Sequence, residues 1–345
     1  MAKVSGITLD ELIKNMNKKQ GEIIVQQGLS DYDYKRIPFT SPNMNYCTYG
    51  GIPIGRLVEF YGEEHGGKTS TALDIVANYQ QLTDAKKVLY VDAENTLDVE
   101  WARKFGVEVE DMIILQPKSQ SAEEIFQFIV EAVETGEVGL WVLDSIGALF
   151  SSQEYEKSLE DKTYAGISKP LTLFSKRIVQ AMHGNDCTGI GINQIRDNLN
   201  SSWGGVTTPG GRGWKHACAV RIQFSQGRFY DENDKEISRN SGIPVGNLVQ
   251  VHMEKNKTCP PKRHNAIYSI NYDLGVDYMK DVVEVAITLG YINKHGGWYD
   301  FVDVDSGEVL GEKIQGVSAV KKYLSEHTDI LELIEKGIDK VVNEI

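Results

Sequence analysis

Apolar residues in the first part of the chain recur at the helical period. Leu9, Leu12, Ile13 and Met16 stand at i, i+3, i+4 and i+7, one stripe of an amphipathic helix. Thr8 and Glu11 ahead of that stripe have the spacing of a capping box, and Gly21 is placed to end the helix. Glu22-Ile23-Ile24-Val25-Gln26 then reads as a short strand. One helix and one strand cannot bury an apolar face by themselves. Residues 1–35 therefore read as an arm that docks either on the chain's own core or on a neighbouring subunit. The pattern leaves both open.

Beyond Arg56 the period switches repeatedly. Short continuous apolar runs over 57–61, 88–92, 140–144 and 189–193 alternate with helical stripes over 69–81, 122–135 and 171–182. Such strands separated by helices predict an α/β core over 36–274, a mostly parallel twisted sheet with helices on both faces. Stretches 219–226, 248–254 and 267–272 instead alternate every second residue, the rhythm of an antiparallel addition. Residues 275–345 change character again. Helices near 280–289 and 318–336 surround the hairpin-like Gly296-Gly297-Trp298-Tyr299-Asp300-Phe301, which predicts a small C-terminal α+β domain. Two stretches fit no element. Residues 157–164 are charged and turn-prone, and 197–211 hold few apolar groups besides Leu199, Trp203 and Val206. Loops of that kind in a compact α/β domain are functional or disordered.

Composition narrows the class further. The 345 residues are 41% hydrophobic and 25% charged, an ordinary globular mixture. No apolar run approaches the ~20 residues of a membrane helix, and the first residues hold no signal-type stretch, so a soluble, cytoplasmic protein is expected. Cys47, Cys187, Cys218 and Cys259 lie far apart without a CxxC pair, which argues against a disulfide framework or a zinc knuckle. The net charge of −13 is uneven: 92–161 carries 17 acidic and 4 basic side chains, whereas 195–263 carries 11 basic and 6 acidic ones. A local basic surface on an acidic chain can bind phosphates, so charge alone excludes only indiscriminate nucleic-acid coating.

The chemistry is concentrated in three places. Gly62-Glu63-Glu64-His65-Gly66-Gly67-Lys68-Thr69 fits G-x-x-x-x-G-K-[ST], with an apolar strand before it and a helical stripe after it. Backbone N–H groups at the start of such a helix, Ser70 included, present partial positive charge to phosphate, and glycines let the backbone wrap closely. Lys68 is suited to the β- and γ-phosphates and the Thr69 hydroxyl to Mg²⁺. The run Leu140-Trp141-Val142-Leu143-Asp144 supplies a strand whose final carboxylate can reach the water shell of that ion. Asp92 and Glu94 close the strand between them, and either can orient a water for attack on the γ-phosphate. The residues alone do not choose.

GRLVEFYGEEHGGKTS, LYVDAENTLDVEWARKFGV, WVLDSIGAL, INQIRDNLN and EKNKTCPP follow in order, and together they resemble the RecA family of homologous-recombination ATPases over roughly 21–336. The resemblance is nearer the bacterial and bacteriophage branch, UvsX-like phage enzymes included, than the archaeal or eukaryotic one. It implies a RecA-type P-loop core that binds ATP and Mg²⁺. The implied activity is DNA-dependent ATP hydrolysis by helical filaments on single-stranded DNA, which pair and exchange strands with double-stranded DNA. Single-strand-binding and mediator proteins are implied partners. Two other readings stay in view: an accessory ATPase that loads or regulates another recombinase, and a hexameric helicase ring, the latter disfavoured by INQIR and EKNK.

Carried over by residue, the resemblance makes Glu94 the catalytic carboxylate and Gln194 the sensor of the γ-phosphate. Lys255 and Lys257 become lysines that reach the ATP of an adjacent subunit. Asp98, Trp101 and Tyr272 fall around the adenine. Stretches 157–164 and 197–211 become the two DNA loops, with Tyr164, Leu199 and Trp203 shaped to separate stacked bases. Lys169, Thr172, Lys176, Arg196 and Arg212, with Gly210 and Gly211 at the end of the second loop, become phosphate contacts. The chain departs from the family at Asp197 and Asn198, at His65 within the phosphate loop, and at His216, where a bulky aromatic often stands.

Overall fold

Capping starts the first helix as its sequence dictates. In α1 (Leu9–Gln20) the Glu11 amide donates to Thr8 Oγ1 at 3.3 Å, and the Thr8 amide donates back to Glu11 Oε2 at 3.0 Å. The computed structural model describes residues 8–20, 35–155, 166–197, 206–238 and 241–343. They divide into two units, Met1–Lys35 and Arg36–Ile345. The expected helix end at Gly21 and strand at 22–26 lie outside the described residues.

In the second unit, β1 (Arg36–Ile37) pairs antiparallel with β2 (Ile52–Pro53) around α2 (Pro42–Thr48). The core then alternates as the periods predict. Its elements are β3 (Leu57–Gly62), α3 (Lys68–Gln80), β4 (Lys87–Asp92), α4 (Val99–Lys104), β5 (Met112–Leu115), α5 (Ala122–Glu134) and β6 (Val138–Asp144). After α6 (Ser152–Tyr155) come α7 (Ser168–Asn185), β7 (Thr188–Gln194), β8 (Arg196–Asp197), β9 (Val206–Thr207) and α8 (Gly211–Ala217). Then follow β10 (Val220–Tyr230), β11 (Glu236–Ile237), β12 (Gly246–Asn256), β13 (Asn265–Asn271) and β14 (Gly275–Val276).

The large sheet runs β14-β13-β12-β10-β3-β7-β6-β4-β5. Alternate residues of each central strand enter different cores. Val58, Phe60, Tyr90 and Val142 join Leu73 and Ile75 of α3, while Leu57, Leu89, Trp141 and Leu143 join Ile125 and Ile129 of α5 and Phe174 of α7. Both faces are thus covered, which is why these strands read as unbroken apolar runs. One expectation changes here. Residues 219–226 are not simply part of an antiparallel addition, because β10 pairs parallel with β3 on one side and antiparallel with β12 on the other. It is the joint between the two halves of the sheet.

The C-terminal part holds α9 (Tyr278–Leu289), the antiparallel sheet β15 (Ile292–His295), β16 (Trp298–Val302) and β17 (Val309–Gln315), then α10 (Val317–Glu326) and α11 (Thr328–Asn343). The Gly296-Gly297 turn makes the expected hairpin. The single helix expected over 318–336 is instead two. His327 leaves the helical region at φ −119° and ψ 75°, and its ring stacks on Tyr323 with centroids 3.7 Å apart. The break lets Leu324 and Ile334 enter one core with Val283 and Phe301. Among the described residues no helix is long and apolar enough to cross a membrane.

Candidate functional site

Register places the chemistry on one edge of the sheet. Gly62 lies level with Gln194 across β3 and β7, and Asp92 lies level with Asp144 across β4 and β6. The loops after these parallel strands therefore emerge together at their carboxyl ends, where open α/β sheets bind ligands.

The loop after β3 is held by close backbone approaches. A Cβ on Gly62 would lie 2.0 Å from the Phe224 carbonyl oxygen, and one on Gly67, at φ 92°, would lie 2.7 Å from Val249 Cγ2. His65 takes the left-handed region without being glycine, at φ 57°. The Lys68 ammonium is buried and donates to the carbonyls of Gly62, at 3.2 Å, and Glu63. Burial holds its pKa below the usual lysine value, although Asp144, Glu94, Glu64 and Glu63 all pull the other way. A partly desolvated ammonium beside a helix N-terminus is a ready partner for phosphate.

Thr69 Oγ1 donates to Asp144 Oδ2 at 2.7 Å, and the Tyr90 hydroxyl donates to the same oxygen at 3.0 Å. Burial raises the Asp144 pKa against both donors. A hydroxyl and a carboxylate in contact form a hard oxygen set, the chemistry that suits Mg²⁺.

The choice between Asp92 and Glu94 has a geometric counterpart. Asp92 is buried, and its oxygens accept from the Thr96 and Leu97 amides at 3.0 and 3.1 Å and from Gln116 Nε2 at 3.0 Å. It fixes the loop that follows β4. Glu94 is exposed; its Oε1 accepts from Ser145 Oγ at 2.6 Å and Gln194 Nε2 at 3.3 Å. Glu94 and Gln194, 100 residues apart in sequence, thus meet at the strand edge.

Beside the loop lies a cavity of 420 Å³ lined by His65, Gly66, Gly67, Lys68, Thr69 and Ser70 together with Trp101, Asn247 and Tyr272. Trp101 Nε1 donates to Ser70 Oγ at 3.1 Å, and the Trp101 and Tyr272 rings stand 6.4 Å apart. Two aromatic faces offer a base a stacking surface. Asp98 is not among the lining residues. Its carboxylate caps α4 by accepting from the Trp101 amide at 3.1 Å, so it acts by fixing the start of the helix that carries Trp101.

Lys255 and Lys257 sit elsewhere. Lys255 pairs with Arg221, which pairs with Glu59, three residues and about 10 Å short of Gly62 along the strand. Lys255 Nζ donates to the Lys215 and His216 carbonyls at 2.6 and 3.3 Å, and Lys257 Nζ to the His216 carbonyl at 3.5 Å, at the C-terminal end of α8.

Lys169 and Lys176 are exposed on α7, one on each side of Thr172 along a single helical face. Thr172 Oγ1 donates to the Ser168 carbonyl at 2.8 Å. Arg196 is exposed in β8, which pairs with β9 in a two-residue ladder, Arg196 opposite Thr207. Gly210 caps α8, whose first residues Gly211 and Arg212 are exposed. Tyr164, Leu199 and Trp203 lie outside the described residues.

Comparison with known proteins decides the family. The RecA N-terminal domain family matches residues 7–277, and the RecA C-terminal domain family matches 280–343. The chain belongs to the RecA family. It is 30% identical to Protein RecA of Aquifex aeolicus (strain VF5) over 334 residues, 96% of this chain and 91% of that one. It is 31% identical to Protein RecA of Staphylococcus aureus (strain JH9) over 336 residues, 96% and 90% of the two chains. With Protein RecA of Nocardia farcinica (strain IFM 10152) it shares 32% identity over 290 residues, 84% of this chain and 78% of the other. It is a recombinase of that family, whose members are DNA-dependent, nucleotide-binding ATPases.

The resemblance to the RecA family gives no role to several contacting residues. Tyr90 and Ser145 hold Asp144 and Glu94, and Asn247 Oδ1 accepts from the Tyr272 hydroxyl at 3.1 Å. Ser145 follows Asp144 directly, so its place at the strand end was a usable signal. Tyr90 was hidden because a tyrosine within an apolar strand reads as core.

Proposed function

We propose that this recombinase binds ATP with Mg²⁺ in the phosphate loop and hydrolyses it in a filament on single-stranded DNA, where it pairs and exchanges strands with duplex DNA. The observation that carries the reading is the convergence of Lys68, the Thr69–Asp144 contact and the Glu94–Gln194 contact on one sheet edge. Lys68 and the loop amides bind the phosphates, and Trp101 and Tyr272 stack on the base. Thr69 and Asp144 hold Mg²⁺, which supplies neutralising charge to the phosphate oxygens. Glu94 orients the attacking water and takes its proton. Gln194 hydrogen-bonds Glu94 and heads the second loop, so it reports on both. Lys255 and Lys257, far from their own phosphate loop, serve the nucleotide of a neighbouring subunit.

On the DNA side, Arg196, Arg212, Lys169 and Lys176 meet phosphates, and Tyr164, Leu199 and Trp203 separate bases. Domain roles follow: 1–35 joins subunits, 36–274 carries the chemistry, and 275–345 completes the protomer. Single-strand-binding and mediator proteins are its expected helpers. The test is strand exchange between circular single strands and a homologous linear duplex, with stoichiometric protein, ATP and Mg²⁺. Joint molecules that mature to nicked circles are expected. DNA-stimulated hydrolysis without joint molecules would instead leave an accessory ATPase.

A further inference from the structure

A chain of polar side chains, buried except at its Glu254 end, lies beneath the site and joins four of its parts. Asn193 is fully buried and uses both hydrogens of its amide: Nδ2 donates to Glu59 Oε1 at 3.0 Å and to the Pro209 carbonyl at 3.0 Å. Its Oδ1 accepts from the Gln194 amide at 3.1 Å. Glu59, also fully buried, accepts on Oε2 from Arg221 Nε at 2.5 Å. Arg221 Nη1 then donates to Glu254 Oε2 at 2.6 Å, and the Tyr61 hydroxyl donates to the same carboxylate. Four residues along it adjoin a working part, and Glu59 and Arg221 link them. Tyr61 precedes Gly62, Asn193 precedes Gln194, Pro209 precedes Gly210, and Glu254 precedes Lys255.

Stability does not account for this arrangement. Burying an ion pair costs about as much free energy as the pair returns, and apolar residues of equal volume often do as well. What the network supplies is geometric linkage. Asn193 has no spare hydrogen, so a shift of Pro209 must either break one of its bonds or carry Glu59 and Arg221 along. Packed cores resist gradual deformation, so a movement at one end of such a junction is passed on rather than absorbed.

We propose that Glu59, Asn193, Arg221 and Glu254 form a positioning junction that couples engagement of the second loop to Lys255 and Lys257, and so sets how strongly DNA and nucleotide promote each other's binding. This rests on the reading of that loop as DNA-contacting and of those lysines as nucleotide-contacting. None of the four touches the nucleotide cavity; they act through their neighbours.

The experiment uses the full chain and measures the Kd of a non-hydrolysable ATP analogue with and without a saturating thymidine oligonucleotide. The Kd of the labelled oligonucleotide is then measured with and without the analogue. By linkage both ratios report one coupling factor, expected in the wild type at about tenfold or more. Asn193→Ala and Glu254→Gln should bring it to within about threefold of unity, with analogue binding alone changed less than about threefold. Folded variants that keep the wild-type factor would overturn the junction and leave the functional reading intact. A wild-type factor of one would overturn the functional reading, and the junction with it. Thermal melting checks folding. If Asn193→Ala does not fold, Glu254→Gln decides alone, since its carboxylate lies at the rim with 44% of its side chain exposed.

Discussion

The phosphate loop and helix α7 both carry lysines, but the two sets of ammonium groups live under different physics. Lys68 is buried, bonded to the Gly62 and Glu63 carbonyls, and held by desolvation below its ordinary pKa. Lys169 and Lys176 stand in water on an exposed helix face. A buried charge costs free energy before any ligand arrives, so its purpose shows in the folded chain as contact and shifted pKa. A solvated charge costs nothing to keep and leaves no trace until phosphate replaces its water. On the proposed reading, the nucleotide side is therefore written into the fold, whereas the DNA side is written mainly in what it meets.

The largest effects should come from the preorganised side. Glu94→Gln should keep nucleotide affinity and lower turnover by about 10²–10⁴-fold, the contribution of a positioned general base. Lys68→Ala should lose nucleotide binding itself. Phosphate release and binding of a fluorescent nucleotide separate the two. Turnover of Glu94→Gln equal to wild type would return the tie to Asp92, against the three donors that already occupy that carboxylate.

Next in size is the shared site. Lys255→Ala should lower DNA-stimulated turnover on the order of a hundredfold, as removal of one charge-stabilising donor does. Mixing it with Glu94→Gln protein should restore part of the activity, because a subunit with its own Glu94 receives Lys255 from its neighbour. If every mixing ratio stays as inactive as the separate variants, the lysines act within their own subunit.

A smaller effect tests the second loop. Trp203→Ala should weaken single-stranded DNA binding by about 1–3 kcal/mol, the worth of one base stacked on an aromatic ring. ATP binding without DNA should not change. In a variant whose only tryptophan is Trp203, fluorescence should shift and saturate as DNA is added with ATP. An unchanged signal with undiminished affinity removes the indole from the interface.

The same contrast explains what the sequence could disclose. Lys68, Thr69 and Asp144 are legible because loop, helix and strand end impose a fixed spacing on phosphate chemistry. Asp92 and Glu94 are not separable by type. What distinguishes them is a set of partners that includes Gln116, 24 residues away. The Glu59–Arg221 pair spans 162 residues, and no local period can announce it. The alternation of β10 suggests antiparallel pairing because polar Arg221, Gln223 and Ser225 alternate with apolar Val220, Ile222 and Phe224, while its parallel neighbour β3 leaves no mark on that rhythm. The break at His327 leaves no mark in the sequence pattern for a similar reason: α10 and α11 face the same core.

The smallest effect is also the sharpest test of the comparison. If Lys169 and Lys176 meet DNA phosphates, each releases condensed counterions on binding, and each contributes about 0.7 to the slope of log K against log salt for a single strand. Lys169→Ala should therefore weaken binding only severalfold at low salt, equally for all sequences, and flatten that slope by about 0.7. Lys176→Ala should do the same, and the double variant should add, since the two lie two helical turns, about 10 Å, apart. Thr172→Ala should not alter the slope, because its hydroxyl carries no charge and donates to the Ser168 carbonyl. Fluorescence anisotropy of a labelled oligonucleotide across a salt series measures the four variants beside the wild type. Slopes for Lys169→Ala and Lys176→Ala both equal to the wild type would mean that these ammonium groups stay in water throughout, and the DNA path would then run over Arg196 and Arg212 alone.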